Sequence, residues 1–597
     1  MKSAHWRDYA FDPAEHESEL LAIVADVETL RESGARAVDR ILRRHPKNGS
    51  SIFSRSELIA GYRYLARRFD WPVERDVIIE RLRMKPVRSL SGVTPVTILT
   101  KPFPCPGKCI FCPNDVKMPK SYLSREPGAQ RAAMHQFDPY EQTQARLDAL
   151  YRIGHPIEKI ELIVLGGTWS FYSEPYQIWF IKRAFDAMNS AGPRGLPTEP
   201  RAGVRIDFEA IVEEVDGRVG GNPYNRIVSA FTESHDRDGS IEELERASWE
   251  DLFAVQRENE TALSRCVGLS LETRPDHVSE VEVERLRRLG ATKVQIGYQS
   301  LSDTVLEANQ RGHDVNASRV ATKRLRQAGF KIQAHWMANL YGSSPERDVE
   351  DFARLWSDAD FRPDELKLYP CSLIESAELM THFEAGRYRP YEEEELLSLL
   401  IRCMSETPKY CRLSRVIRDI PGDDILAGSR VTNFRAVAED EMRSRGIESV
   451  DIRAREIRGE QVPMEELALE VLTYETSAGE EHFLQFVTED DRLAAFLRLS
   501  LPVETAWLEE LAGAAIIREV HVYGSAVNIG ERDDRKMQHT GLGRRLIERA
   551  VDVARERGYE RLAVISSVGT RVYYRHQGFE DGALYQHRAT GLGGASA

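Results

Sequence analysis

The chain has 597 residues, 42% of them hydrophobic and 29% charged, and a formal net charge of −14. That length allows about four domains of roughly 150 residues, or fewer if one is a barrel. No run of about 18 apolar residues is present to cross a membrane, Met1–Ala10 lacks an apolar signal core, and the acidic bulk offers no general attraction for nucleic acid, so any such contact must use local basic patches.

Residues 1–85 read as helical, with apolar positions at helical spacing over 17–31. Between Arg36 and Arg68 stand nine basic residues (Arg36, Arg40, Arg43, Arg44, Lys47, Arg55, Arg63, Arg67 and Arg68) against two acidic ones, with Tyr62 and Tyr64 among them. Such a stretch suits phosphate contact and base stacking, although a solvated helix face has the same pattern.

From about residue 86 the pattern changes to alternating β-branched runs and helices. The runs are Val96–Thr100, Ile160–Leu165, Val267–Leu271, Lys293–Tyr298, Lys331–Met337 and Glu365–Tyr369. The helical patterns Val278–Leu289 and Ala317–Ala328 stop at Gly290 and Gly329. This rhythm predicts a parallel sheet, open or closed as a barrel, with its site at the carboxyl ends of the strands.

Cys105, Cys109 and Cys112 follow the first run in a CxxxCxxC spacing. Three thiolates on one loop can hold three irons of a 4Fe–4S cluster, leaving the fourth iron open to S-adenosylmethionine. A structural zinc knuckle would need a fourth ligand and usually a second CxxC, and the chain has none. Seven scattered cysteines, an odd number, make no disulfide framework. Together with the oxygen sensitivity of a cluster, they point to a reducing cytoplasm. Cys371, Cys403 and Cys411 are irregularly spaced and read as buried structural thiols.

Gly166-Gly167-Thr168 follows the second run, where glycines let backbone amides approach a ligand such as the amino and carboxylate groups of S-adenosylmethionine; a plain turn is the alternative. Glu272-Thr-Arg-Pro-Asp276 ends another strand and offers either ligand contacts, chiefly through Glu272, or a structural ion pair. Residues 190–248, rich in Gly, Pro and acidic residues, read as a poorly ordered surface insertion.

The last module begins near residue 465. Strands are expected at 481–487, 493–499 and Ile516–Val522. Gln538-His-Thr-Gly541-Leu542-Gly543 then opens a helix, an arrangement whose free N–H groups can cradle a coenzyme A pyrophosphate. A strand over Arg561–Ser566 precedes Tyr573 and Tyr574, either of which could position a thioester or act as a general acid; core packing is the plainer role. This order is that of a GNAT-type acetyltransferase fold. The tail from Thr590 reads as disordered.

A radical S-adenosylmethionine module joined to a GNAT module resembles the family of Elongator catalytic subunits, which modify the wobble uridine of tRNA. The resemblance covers about residues 36–590. It rests on Lys85-Pro-Val-Arg-Ser-Leu-Ser-Gly92, the cysteine loop, Phe137-Asp-Pro-Tyr-Glu-Gln142, Gly166–Thr168, Glu272–Asp276, Asn309-Gln-Arg-Gly-His313, Asp364–Pro370, Val520-His-Val-Tyr-Gly524 and Gln538–Gly543. The resemblance implies a radical-SAM partial (βα) barrel at 86–400, a helical connector at 401–464, a GNAT domain at 465–597 and a helical tRNA-binding segment at 1–85.

It further implies that a deoxyadenosyl radical takes hydrogen from the methyl of acetyl-CoA, that the carbon radical adds to the fifth ring carbon of the uridine, and that thioester hydrolysis leaves a carboxymethyl group. Acetyl-CoA contacts then fall on Lys159, Glu519, Val520, His521, Val522, Leu542, Gly543, Arg544 and Tyr574. The implied partners are the tRNA anticodon stem-loop and an electron donor, with a homodimer or accessory subunits left open.

Three departures stand out. Asn114-Asp115 replaces a family Gly-Gly after the last cysteine's proline, Met337-Ala-Asn-Leu-Tyr341 replaces Met-Pro-Asp-Leu-Pro, and Asp451–Glu456 lacks the cysteines that family members use for zinc, so no zinc is expected. The competing readings are a protein acetyltransferase with a structural cluster and a tRNA-binding scaffold that only hydrolyses acetyl-CoA.

Overall fold

The computed structural model describes residues 11–30, 35–71, 77–85, 89, 91–191, 223–235, 243–418, 420–428, 430–431, 433–458, 462–504, 507–523 and 541–591. The β-branched runs form strands β1 (Thr94–Leu99), β2 (Lys159–Leu165), β3 (Arg265–Thr273), β4 (Lys293–Gln299), β5 (Lys331–Ala338) and β6 (Glu365–Pro370). A seventh, β7 (Arg412–Arg415), lies inside the segment expected to be a helical connector. Every strand pairs in parallel with its sequence neighbour, in the order β1 to β7. Gly290 and Gly329 end the intervening helices at φ +94 and +77, the left-handed region glycine adopts freely.

The second sheet has the order β13-β14-β12-β11-β10-β9-β8. Its strands are β8 (Ala468–Thr476), β9 (Gly479–Val487), β10 (Leu493–Pro502), β11 (Ala514–Val522), β12 (Arg561–Val564), β13 (Glu580–Asp581) and β14 (Gln586–Ala589). β11 pairs in parallel with β12 only over Ala514–Ile517, whereas its pairing with β10 continues to Val522. The two strands therefore part at Arg518, and a cavity opens in the gap.

One hydrophobic core runs through both sheets, from Val96 and Ile98 to Ile516, Leu546 and Tyr585. The modules also interlock through polar groups. Arg287 donates to the carbonyls of Ser566 (2.7 Å) and Leu584 (2.9 Å), and the Tyr585 hydroxyl donates to Ala328 O at 2.7 Å. Arg518 of β11, fully buried, forks onto both carboxylate oxygens of Asp364 at 2.7 Å and reaches Glu481 at 2.7 Å. Gly329 lets Ile516 approach, since a Cβ there would lie 2.9 Å from its Cγ2.

The N-terminal helices Glu17–Glu28, Ala35–Arg44 and Arg55–Arg68 have their own small core, including Leu20, Ile41 and Leu65. Tyr62 is buried in it and offers no stacking face, which corrects the expectation for that residue. Arg44, Lys47, Arg55 and Arg68 pair with Asp26, Glu57, Asp39 and Glu17, and Arg63 stacks on the Tyr151 ring at 3.5 Å. Arg36, Arg40, Arg43 and Arg67 face solvent.

The expected insertion also needs correction. Residues 192–222 and 236–242 lie outside the described set, but Pro223–His235 is a helix. Its Tyr224 is fully buried and donates to Met118 O at 2.8 Å. Polarity of the surrounding sequence masked this docking segment.

Candidate functional site

The cysteine loop leaves the carboxyl end of β1, as a parallel sheet requires. Cys105 Sγ accepts from Gly107 N at 3.4 Å and lies 3.8 Å from Thr168 Oγ1, so the expected Gly166–Thr168 segment meets the loop. Gly166 has φ +151, and a Cβ there would fall 1.9 Å from Thr100 Oγ1; Gly167 has room, with Tyr172 Oη at 3.7 Å the nearest atom.

Cys109 and Cys112 are buried. A hydrogen bond from Cys112, helped by the Arg311 and Arg274 guanidiniums, holds the Cys109 thiol well below its ordinary pKa, and the same bond with burial pushes Cys112 well above it. Arg311 donates to Cys109 Sγ at 3.2 Å, and Cys112 Sγ lies 3.4 Å from Ser121 Oγ.

Three groups behind this loop escaped the sequence reading as contributors to it. Asn225 accepts from Cys105 N at 2.9 Å and donates to Cys105 O at 2.7 Å, fixing the first thiol from the remote helix. Arg311 comes from the Asn309–His313 stretch. Arg274 pairs with Asp276 at 2.9 Å, as the ion-pair reading of that stretch expects, and donates to Arg311 O at 2.7 Å. Among the described residues its Nη1 is nonetheless buried without a hydrogen-bond partner, beside Gly107, where a Cβ would lie 2.5 Å away.

These features fit a cluster carrying three thiolates. Two buried guanidiniums offset their charge, one donor atom stays uncommitted, and Gly107 keeps space beside it. Among the described residues no three His, Cys, Asp or Glu side chains converge on a single ion position.

The unusual Asn114-Asp115 pair is built into the same loop. Asn114 Nδ2 donates to Ser376 O at 2.9 Å, Lys120 Nζ donates to Asn114 Oδ1 at 2.5 Å, and Asp115 accepts from Ser124 N at 2.7 Å. Asn339, in the other departing stretch, takes φ +61, a conformation asparagine tolerates, and its N–H donates to Asp348 at 2.7 Å. Cys371, Cys403 and Cys411 are buried, and burial raises all three thiols.

A cavity of about 880 Å³ lies at the opposite, amino-terminal ends of β1–β7, in the gap where β11 and β12 part. Of the expected coenzyme residues, Lys159, Glu519, Val520, His521, Val522, Gly541, Gly543, Arg544, Tyr573 and Tyr574 line it. Leu542 does not: it is buried in the core, and the cradle is formed by the glycines on either side. Gln538 lies outside the described residues.

Gly541 takes φ +77 before the helix Leu542–Glu556, whose first turn has no side-chain cap. A Cβ on Gly543 would meet the Tyr573 hydroxyl at 2.8 Å. Burial drives the His521 imidazole down to about 4, and its Nε2 has no hydrogen-bond partner among the described residues. Burial also holds Tyr573 up at about 12 and raises Tyr574 further, so both remain donors. Glu272 is not among the residues lining this cavity; its carboxylate lies 3.7 Å from His335 Nδ1, and burial raises its pKa.

Comparison with known proteins agrees with both halves of the site. The chain matches the Radical SAM superfamily over residues 188–355, the Radical_SAM C-terminal domain over 363–444 and the Acetyltransferase (GNAT) family over 447–579. The first match begins beyond the cysteine loop, so the loop rests on its own geometry. The chain is 37% identical to the tRNA uridine(34) acetyltransferase of Methanocaldococcus jannaschii, over 86% of this chain and 87% of that one. It is 32% identical to Elongator complex protein 3 of Bos taurus, over 85% of this chain and 86% of that one.

The solved structure of the archaeal Methanocaldococcus infernus Elp3 with its N-terminus deleted aligns with a TM-score of 0.65 at 32% identity, covering 83% of this chain and 99% of that one. With a radical SAM sheet and a GNAT sheet sharing one core, the chain belongs to the family of the tRNA uridine(34) acetyltransferases and Elongator complex protein 3.

Proposed function

We propose that this protein modifies the wobble uridine of tRNA, using acetyl-CoA to place a carboxymethyl group on the fifth ring carbon. The observation that carries the reading is that one core joins the sheet bearing an arginine-flanked three-cysteine loop to the sheet bordering a coenzyme-sized cavity lined by ten of the expected residues. An acetyl methyl is not an electrophile and the uridine ring carbon is a poor nucleophile. When bound, the cluster and S-adenosylmethionine supply a carbon-centred radical equal to that task.

The chain's own residues do the rest. Cys105, Cys109 and Cys112 would hold the irons, Arg311 and Arg274 would offset their charge, and Gly166 lets the backbone beside the loop pass close to Thr100. At the cavity, the open first turn after Gly541 suits a pyrophosphate. Tyr573 and Tyr574, kept protonated, can donate to a thioester carbonyl, and neutral His521 can accept a proton from water there. The exposed Arg36, Arg40, Arg43 and Arg67 supply phosphate contacts for tRNA. The wobble base is already unpaired, so the cost of flipping a base from a duplex is largely avoided.

The test is nucleoside mass spectrometry of tRNA incubated anaerobically with cluster-loaded protein, S-adenosylmethionine, a reductant and acetyl-CoA. Carboxymethyluridine should form and should vanish without S-adenosylmethionine or in Cys109→Ser. Acetylated protein as the product, persisting in Cys109→Ser, would overturn the reading.

A further inference from the structure

The interior of a parallel barrel is normally packed with branched apolar side chains in layers. This one is not. On the inner face of the first sheet, the layer nearest the coenzyme cavity holds Glu161, Lys293, Lys331 and Glu365, all of which also line that cavity. Lys331 bonds Glu365 at 2.8 Å and Glu519 at 2.5 Å, and Lys293 bonds Glu161 and reaches Glu365 at 3.4 Å.

Two residues further along the strands comes an amide layer. Gln295 donates to Ser270 Oγ and Gln333 to Ser414 Oγ, both at 2.9 Å. Above it His335 contacts Gln295 at 3.2 Å and Glu272 at 3.7 Å. The column ends at Arg311, which bonds Gly297 O at 3.1 Å and Cys109 Sγ at 3.2 Å.

Buried charge and amide groups at such positions cost stability that Val or Leu would not. What they offer is exchange. Each is satisfied by a neighbouring side chain, and each can instead bond the amides and thioester of a pantetheine arm. Glu161, Lys293, Lys331 and Glu365 line the cavity two residues before the amide layer on the same strands, and lysine stems are long and rotatable. From Lys331 to His335 is four residues, about 13 Å of strand, a span an extended pantetheine arm can cover.

We infer that the polar interior of the first sheet is the passage by which the acetyl end of acetyl-CoA reaches the cysteine loop, with the Glu161–Lys293–Glu365–Lys331 ring as its gate and the Gln295–Gln333 layer as its middle. The inference rests on the proposed function for its purpose, and on the side-chain layers for its route.

The test uses cluster-loaded full-length protein and bromoacetyl-CoA, whose methyl carbon alkylates a thiolate: a C–S bond forms, the C–Br bond breaks and bromide leaves. Ser270→Cys places a thiol in the buried middle layer, and Ser91→Cys places one at the cavity. Peptide mass spectrometry should find CoA-protected alkylation at both positions. Gln295→Trp, beside Ser270, should slow alkylation at 270 by about tenfold or more while sparing 91.

The same Gln295→Trp change should abolish carboxymethyluridine while acetyl-CoA binding, measured by calorimetry, persists. Alkylation at 91 without alkylation at 270, or alkylation at 270 indifferent to Gln295→Trp, overturns the passage. Alkylation at 270 from a protein that makes no carboxymethyluridine retires the functional reading and leaves the passage standing.

Discussion

Arg518→Met tests whether the two modules are joined by charge as well as by apolar packing. Arg518 is fully buried and makes five hydrogen bonds: two at 2.7 Å to Asp364, two to Glu481 at 2.7 and 3.0 Å, and one to Phe330 O at 3.0 Å. Methionine keeps much of the volume and removes all five. Asp364 would retain the Ile332 N–H at 2.8 Å and Arg498 at 3.5 Å, and Glu481 would retain Ser500 Oγ at 2.7 Å and Arg326 at 3.7 Å.

Removing one partner from a buried ion pair costs about 3–5 kcal/mol; with Arg498 and Arg326 still nearby, the lower end, about 3 kcal/mol, is expected. Urea unfolding followed at Trp336 in the first module and Trp507 in the second should show both transitions shifting together. Arg518→Lys, which keeps the charge without the planar fork, should recover only part of the loss. A cost below about 1 kcal/mol, the value of a surface pair, would refute the argument.

The same network sets an acid limit. Burial pushes Asp364 and Glu365 up, but Arg518 and Arg498, and Lys293 and Lys331, outweigh it and hold both below the ordinary carboxylate range. Their contribution is therefore fully present above about pH 4 and lost as pH falls through the folded-state values, so Arg518→Met should begin acid unfolding at a higher pH than the parent. His521, near 4 when folded, stays neutral while an unfolded chain takes up its proton below about pH 6.5; stability should decline from there toward 4 on its account, yet acetyl-CoA binding by calorimetry should show no His521-dependent step between about pH 5.5 and 8. Gly166→Ala should cost about 1–3 kcal/mol in thermal unfolding and weaken S-adenosylmethionine binding, whereas Gly167→Ala should be tolerated. Asn225→Ala, which removes both hydrogen bonds to the Cys105 backbone, should lower bound iron per chain while leaving the circular dichroism spectrum unchanged.

Much of this was legible in the sequence because it is carried by local signals. Runs such as Ile160–Leu165 announce strands, Gly290 and Gly329 announce helix stops, and the cysteine spacing announces its own chemistry. β7 escaped because four residues, Arg-Leu-Ser-Arg, carry no periodicity, and β8 because its side chains are mostly exposed on both faces. Lys293-Val-Gln-Ile-Gly-Tyr-Gln299 alternates polar and apolar residues, the pattern of a strand with one wet face, yet its polar residues are mostly buried. An interior lined with charge reads as a surface when only one strand is considered. Asn225 and Arg311 reach the cysteines across 120 and 202 residues, and no spacing rule spans such distances.

The sharing of one core between the modules has a consequence for how the chain is made. The first sheet is laid down strand beside consecutive strand, so it can be extended in the order of synthesis while the rest is still being made. On its amino-terminal rim Lys331 can pair with Glu365 at once, but Asp364 has to wait for Arg498 of β10 and Arg518 of β11 before its charge is matched. During that interval the nascent protein presents an incomplete, charged rim and unsealed apolar surface, so the interval between residues 415 and 522 is the stretch of translation in which a chaperone has most to do.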